Sequence, residues 1–171
     1  HELQKWKKDY NYNRLWRLDG TWERIHDQFV RWERVDQGHS ASPSAASLDS
    51  QSVKTATPAA VCVGFDGGKK IKGRKRHIMV DTLGLVMMVV VTAASVSAPK
   101  GAKLIFSRLS KWPDRIARLV KIWVDGTYAG INLMKWTMDT YRWILETIKR
   151  SDSAKGFVLL PYRWVIERTF G

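Results

Sequence analysis

The stretch GRKRHIMVDTLGLVMMVVVTAA, residues 73–94, leaves little choice of fold. Two runs rich in β-branched residues flank Asp81-Thr82-Leu83-Gly84, a tight polar turn ending in glycine, and the pattern predicts two paired strands. The second run, Leu85 to Ala93, is apolar without alternation, which predicts a strand covered on both faces. It is too short to span a bilayer. The segments that follow alternate in kind. AKLIFSRLS after Gly101 suits a short helix, RLVKIWVDG a strand ending at Asp125-Gly126, and AGINLMKWTMDT a helix. YRWILETIK alternates like a strand, with Trp143, Leu145 and Thr147 on one face, and the closing PYRWVIERTFG reads as the start of a helix. The order hairpin, helix, strand, helix, strand, helix predicts an α/β fold with a mixed sheet covered by helices on both sides.

Upstream, residues 1–37 read as a helical, basic and aromatic segment. In TWERIHDQFVRWERV the side chains of Trp22, Ile25, Phe29 and Trp32 form one apolar stripe, with Thr21 placed as N-cap after an Asp19-Gly20 turn. Such a stripe fits a core or docking face better than base stacking. Residues 38–60 are rich in Ser, Ala and Thr and read as a flexible linker, with SLDSQSV in the middle as a short strand. At 171 residues the chain holds one ordinary domain with a short appendage. Its net charge of +13 points to a polyanionic partner, and a non-enzymatic nucleic-acid-binding protein would show the same balance. Cys62 is the single cysteine, which excludes an internal disulfide and a multi-cysteine zinc site; the four histidines have no ligand-like spacing. The absence of a signal peptide predicts a cytoplasmic protein with no membrane partner, and His1 in place of Met suggests an unnatural start.

Two acids fall where a sheet would present them. Asp125 ends an apolar strand, and Asp49 follows the strand-like Ala46-Ser47-Leu48. If those strands are parallel neighbours they lie about 4.8 Å apart, and their carboxylates could share divalent cations of the kind that activate a nucleophile and stabilise a leaving oxygen at a phosphodiester. Each acid also has a plainer reading. Asp125-Gly126 is a common turn dipeptide, Asp49-Ser50 fits an Asx turn, and Asp81 belongs to its own turn. Glu167 has an i,i+4 partner in Arg163, in the less favourable order for a helix. The basic stretch GGKKIKGRKRH carries Lys69, Lys70, Lys72, Arg74, Lys75 and Arg76 with no acid among them, and Gly67, Gly68 and Gly73 give it mobility. Phosphate contact suits it better than a merely solubilising loop. It lacks the Gly-Lys-Ser/Thr ending of a P-loop.

LDSQSVKT, GGKKIKGRKRHIMVDTLGLVMMVVV, KIWVDGTYAG and GFVLLPYRWVIERTFG together resemble, in this order, the DDE transposases of small bacterial insertion sequences. DGTWERIHD also resembles the segment ahead of the catalytic domain in that family. The resemblance implies a ribonuclease-H-like five-stranded sheet in the order 3-2-1-4-5, formed by residues 45–171, with residues 1–37 as a remnant of the DNA-binding and end-recognition region. It implies that Asp49, Asp125 and Glu167 are the catalytic, metal-holding acids for Mg²⁺ or Mn²⁺, as two ions. It further implies that Arg163 faces DNA phosphate and that the partner is double-stranded DNA, as terminal inverted repeats and target, handled by a homodimer of the full-length protein. The family's tyrosine is replaced by Leu160, the lysine expected after the glutamate would fall beyond Gly171, and SVSAPKGAK lacks an acidic pair, so a copy truncated at its C-terminus is expected. Two rivals stand beside this reading: a ribonuclease-H-like nuclease without strand transfer, and a non-enzymatic DNA-binding protein such as a decayed transposase.

Overall fold

The structure, a computed structural model, describes residues 6–55, 61–148 and 163–170, the last segment without the side chains of Arg163 and Glu167. The chain divides into two compact units, residues 1–41 and 42–171. In the first, α1 (Trp6–Leu18) and α2 (Thr21–Asp36) form a helical hairpin. Gly20 rather than Thr21 is the N-cap of α2, in the left-handed region at φ 74°. That bend makes Thr21 already helical, and Asp19 supplies the acceptor instead, its Oδ1 taking the Thr21 amide at 2.9 Å. The stripe of α2 does not form a core: Trp22, Phe29 and Trp32 stay exposed. A two-helix hairpin has no third element to close over such a face.

The second unit runs β1 (Ala45–Lys54), β2 (Gly64–Asp66), β3 (Ile71–Asp81), β4 (Val86–Ala93), α3 (Ala98–Leu109), α4 (Pro113–Ile116), β5 (Lys121–Val124), a 3-10 turn (Gly126–Tyr128), α5 (Ile131–Tyr141), β6 (Ile144–Thr147) and α6 (Arg163–Phe170). The main strands lie in the order β4-β3-β1-β5-β6, the ribonuclease-H-like arrangement. β1, β3 and β4 are antiparallel, while β1, β5 and β6 are parallel. The short β2 pairs with Ile71–Gly73 of β3, on the edge that β4 occupies from Arg74 onward. The first strand of this sheet is ten residues long, where its small polar residues suggested a short one.

Strand alternation sends side chains to two different covers. On one face Leu48, Met79, Val90, Ile122 and Val124 meet Ile105, Phe106 and Leu109 of α3 and Leu133 of α5. Phe106 sits among Trp136, Tyr141 and Trp143, the last pair stacked with centroids 4.7 Å apart. These rings tie α3, α5 and the start of β6 together, each burying apolar surface at about 25 cal/mol per Å². On the other face Ile78 and Val80 meet Val165 and Ile166 of α6. α6 is also fastened to the β3–β4 turn, where Arg168 Nη2 donates to Leu83 O at 3.1 Å and Thr169 Oγ1 to Gly84 O at 3.5 Å. Gly84 itself has φ 87°, so a side chain there would be strained as well as crowded by Val165. The buried Asp81 closes this turn, its Oδ1 accepting from the amides of Leu83 and Leu85.

The apolar run of β4 is not covered on both faces. Val89 and Val91, opposite Ile78 and Arg76, remain 40% and 50% exposed. The packing of α6 on this face reaches Ile78, Val80 and Val86, and the two valines lie further along the strand.

α3 approaches the sheet at one point closely enough to dictate a residue. A Cβ on Gly101 would lie 2.0 Å from the imidazole of His77, which is wholly buried beneath the helix. Gly101→Ala should therefore lower stability by roughly 1–3 kcal/mol through overpacking, read as a lower urea midpoint; an unchanged midpoint would show that α3 is not seated on His77. Burial, aided by the charge of Lys75, pushes the His77 pKa down to about 4. An unfolded histidine takes up its proton near 6.5, so the unfolded chain binds a proton that the folded one refuses until about pH 4. Stability should fall as pH drops through that window. His77→Gln should flatten the dependence in urea titrations at several pH values, whatever its own absolute stability.

Candidate active site

The site begins with a difference in length between neighbouring strands. β1 pairs with β5 from Ala45↔Lys121 to Leu48↔Val124 and then outruns it, while its pairing with β3 continues to Lys54. Asp49 and Asp125 each follow the last paired residue, so they stand at the next step of adjoining parallel strands, about 4.8 Å apart in the sheet direction. Both line one cleft of about 360 Å³ beside the free part of β1. The other wall is made by Asp66, Lys69 and Lys75 and by Ser97–Pro99 at the start of α3.

Local bonding orients the two acids. Asp125 caps the 3-10 turn, its Oδ1 accepting from the Thr127 amide at 2.8 Å and the Thr127 hydroxyl at 2.5 Å. Asp49 Oδ1 accepts from the Ser50 amide at 2.6 Å. Tyr128, three residues after Asp125, is wholly buried, and its hydroxyl makes no hydrogen bond of good geometry although Ser50 is close. Burial above all, then the charges of Asp49 and Asp125, raises this phenol above the ordinary tyrosine range, so it stays protonated beside them.

Ile166 of α6 lines the pocket that contains Asp49 and Asp125. α6, which also contains position 167, therefore packs beside the strand ends that carry the two aspartates. The side chains of Glu167 and Arg163 lie outside the described residues, as do Leu160 and Tyr162 altogether. Among the described residues no three His, Cys, Asp or Glu side chains gather in a way that could hold a metal ion. The two carboxylates side by side are an oxygen-only donor pair, which suits a hard divalent cation that keeps several waters.

The basic stretch is not one patch. β3 begins at Ile71, and alternation divides the cations. Lys75 faces the α3 side and lines the cleft with Lys69. Lys72, Arg74 and Arg76 fall on the opposite side of the strand. There Arg74 donates to Val61 O, and Arg76 donates to Gln51 and lies 5.9 Å from the Phe170 ring. Lys70 sits at φ 53° in the exposed turn before β3. Nor is the stretch without an acid: Lys75 Nζ pairs with Asp66 Oδ2 at 3.0 Å. Asp66 also accepts from the Ser52 hydroxyl at 2.5 Å and from the amides of Gly68 and Lys69, both at 3.1 Å. These partners, the Ser52 hydroxyl first and Lys75 next, hold its carboxyl well below the usual carboxylate range.

Sequence reasoning missed Asp66 and Tyr128. Asp66 immediately precedes the basic stretch, and its partners become visible once β2, β1 and β3 are paired. Tyr128 stands at the close of the turn capped by Asp125, a spacing that draws attention only when the burial is known.

No curated protein matches the chain. Among solved structures, one similar chain is that of a piggyBac transposase synaptic complex with hairpin DNA, at a TM-score of 0.42 and 16% identity, over 66% of this chain and 24% of that one. The present chain thus spans about a quarter of the length of that transposase. The family model for the transposase DDE domain matches residues 40–171, which takes in every element from β1 to α6 together with Asp49, Asp125 and position 167. The chain belongs to the transposase DDE domain family.

Proposed function

We propose that this chain is the catalytic domain of a bacterial insertion-sequence DNA transposase, cutting DNA at element ends and joining them to a target. The observation that carries the reading is the placement of Asp49 and Asp125 at the same step of two adjoining parallel strands, in a cleft, within a domain of this family. Asp49, Asp125 and Glu167 would hold two Mg²⁺ or Mn²⁺ ions. When bound, such a pair supplies activation of the attacking oxygen and stabilisation of the leaving one. In the first reaction water attacks a phosphodiester and releases a 3′-hydroxyl. In the second that hydroxyl attacks a target phosphodiester, one P–O bond forming as another breaks.

The protein's own part is positional. The two strands hold the carboxylates in fixed register, and Thr127 keeps Asp125 turned into the cleft. Lys69 and Lys75 on the far wall, with Arg163, are the proposed contacts for the DNA backbone at the site. Lys70, Lys72, Arg74 and Arg76 are the proposed contacts for flanking phosphates. In the helical unit the acids nearly match the bases, so nearly all of the net charge of +13 sits in the catalytic unit. The partner of that charge would be double-stranded DNA, terminal repeats and target, with residues 1–37 assisting end recognition. The full-length protein would work as a homodimer in the cytoplasm. No helix among the described residues is long and apolar enough to cross a membrane.

Asp49→Asn and Asp125→Asn should each reduce Mg²⁺-dependent plasmid nicking at least 100-fold while DNA retention in a gel-shift assay persists, since a neutral amide is a poor ligand for a hard cation. Nicking that survives either substitution, or that proceeds equally in a chelator, would remove the carboxylates from the chemistry.

A further inference from the structure

The far wall of the cleft contains an acid that a polyanion-binding surface should avoid. Asp66 and Lys75 are a nearly buried pair, each side chain 12% exposed, and both line the cleft with Asp49 and Asp125. The carboxylate is saturated: Ser52 and Lys75 donate to one oxygen, and the amides of Gly68 and Lys69 to the other. Lys75 in turn gives a second N–H to Val96 O at 3.0 Å, just before the start of α3. An ammonium has three donors, and these two contacts fix its direction without using the third. The same carboxylate folds the turn that carries Lys69 to the cleft.

We infer that Asp66 is a positioning residue for DNA: it clamps Lys75 and the Gly67–Lys69 turn so that the Lys75 ammonium and the Lys69 side chain grip one backbone phosphate, a short distance from the phosphodiester held at Asp49 and Asp125. The inference rests on the transposase reading for the identity of the polyanion. It concerns binding, and therefore stands or falls separately from catalysis. A negative charge spent on fixing a positive one is favourable where the lysine must meet a phosphate in one orientation, because an unfixed lysine loses rotamer freedom on contact.

The test exploits sign. Asp66→Asn keeps an acceptor for the turn amides but releases Lys75, and it raises the net charge by one. If Asp66 were a bystander, DNA binding would tighten. The inference predicts the opposite: the affinity of the full chain for a short fluorescein-labelled duplex, by anisotropy in EDTA, falls roughly threefold to tenfold, and the slope of log K against log salt shrinks by about 0.9, one phosphate contact. Lys75→Gln should give a similar loss, and adding Asp66→Asn to it should cost nothing more. Should Asp66→Asn fail to show a cooperative melt, Ser52→Ala, which leaves the charge unchanged and removes one donor from Asp66, is expected to weaken binding by a smaller factor. Tighter or unchanged binding by Asp66→Asn, or by a folded Ser52→Ala where that variant is used, overturns the inference and leaves the catalytic reading intact. A wild-type chain that binds no duplex overturns the DNA reading itself.

Discussion

The arrangement of the second unit follows from the two unequal ladders on β1. Antiparallel pairing with β3 runs the whole length of the strand, while parallel pairing with β5 stops after four residues. Among the described residues, the backbone of β1 from Asp49 onward pairs with β3 and has no strand partner on the β5 side. Asp49 and Ser50 at the start of that stretch line the cleft, and the end of the shorter ladder puts Asp49 and Asp125 at the same step. A longer β5 would fill the space, and a shorter β1 would have no floor for it. The serines that made this strand look weak, Ser50 and Ser52, pair with His77 and Lys75, and Ser50 lines the cleft. Large apolar residues there would close it.

Charge is managed by the sheet rather than by the sequence run. Six cations close together in the chain would repel one another on a single surface. Because successive side chains on a strand point to opposite faces, β3 divides the four cations it carries and gives each set a different environment. Arg76 is held by Gln51 and the ring of Phe170, near α6. Lys75 is held by Asp66 and Val96 beside α3. The acids are divided as well. Asp66 is fully engaged by donors and Asp81 serves a turn, whereas Asp49 and Asp125 meet at a cleft.

Much of this was legible in the residues. The hairpin around Asp81–Gly84, the strand ending at Asp125 and the alternating helices all carry local signals of turn chemistry and periodicity, and the ordered strings of the family fix the sheet order. Three things were not legible, two because they depend on distant partners and one because it depends on a local backbone conformation. Whether the apolar run of β4 is covered depends on how far α6 extends across Ile78 and Val80, not on the run itself. Whether the cations of GGKKIKGRKRH are unbalanced depends on Asp66 arriving through β2, a three-residue strand with little signal of its own. The cap of α2 depends on a left-handed Gly20, which shifts the helix start by one residue and hands the role to Asp19. Local pattern specifies elements, and pairing across the sheet specifies what each side chain meets.

The seat of α6 bears on when such a protein becomes dangerous. The helix rests on Ile78, Val80 and the β3–β4 turn, with hydrogen bonds joining residues 85 apart in sequence. Domains form from the N-terminus as the chain leaves the ribosome, so the sheet with its two aspartates can assemble while position 167 has yet to be translated. Under the proposed assignment, the site stays incomplete until α6 has emerged and found a turn made much earlier. Synthesis of the chain is then itself a safeguard, since any product that ends before α6 carries the cleft without the proposed third acid.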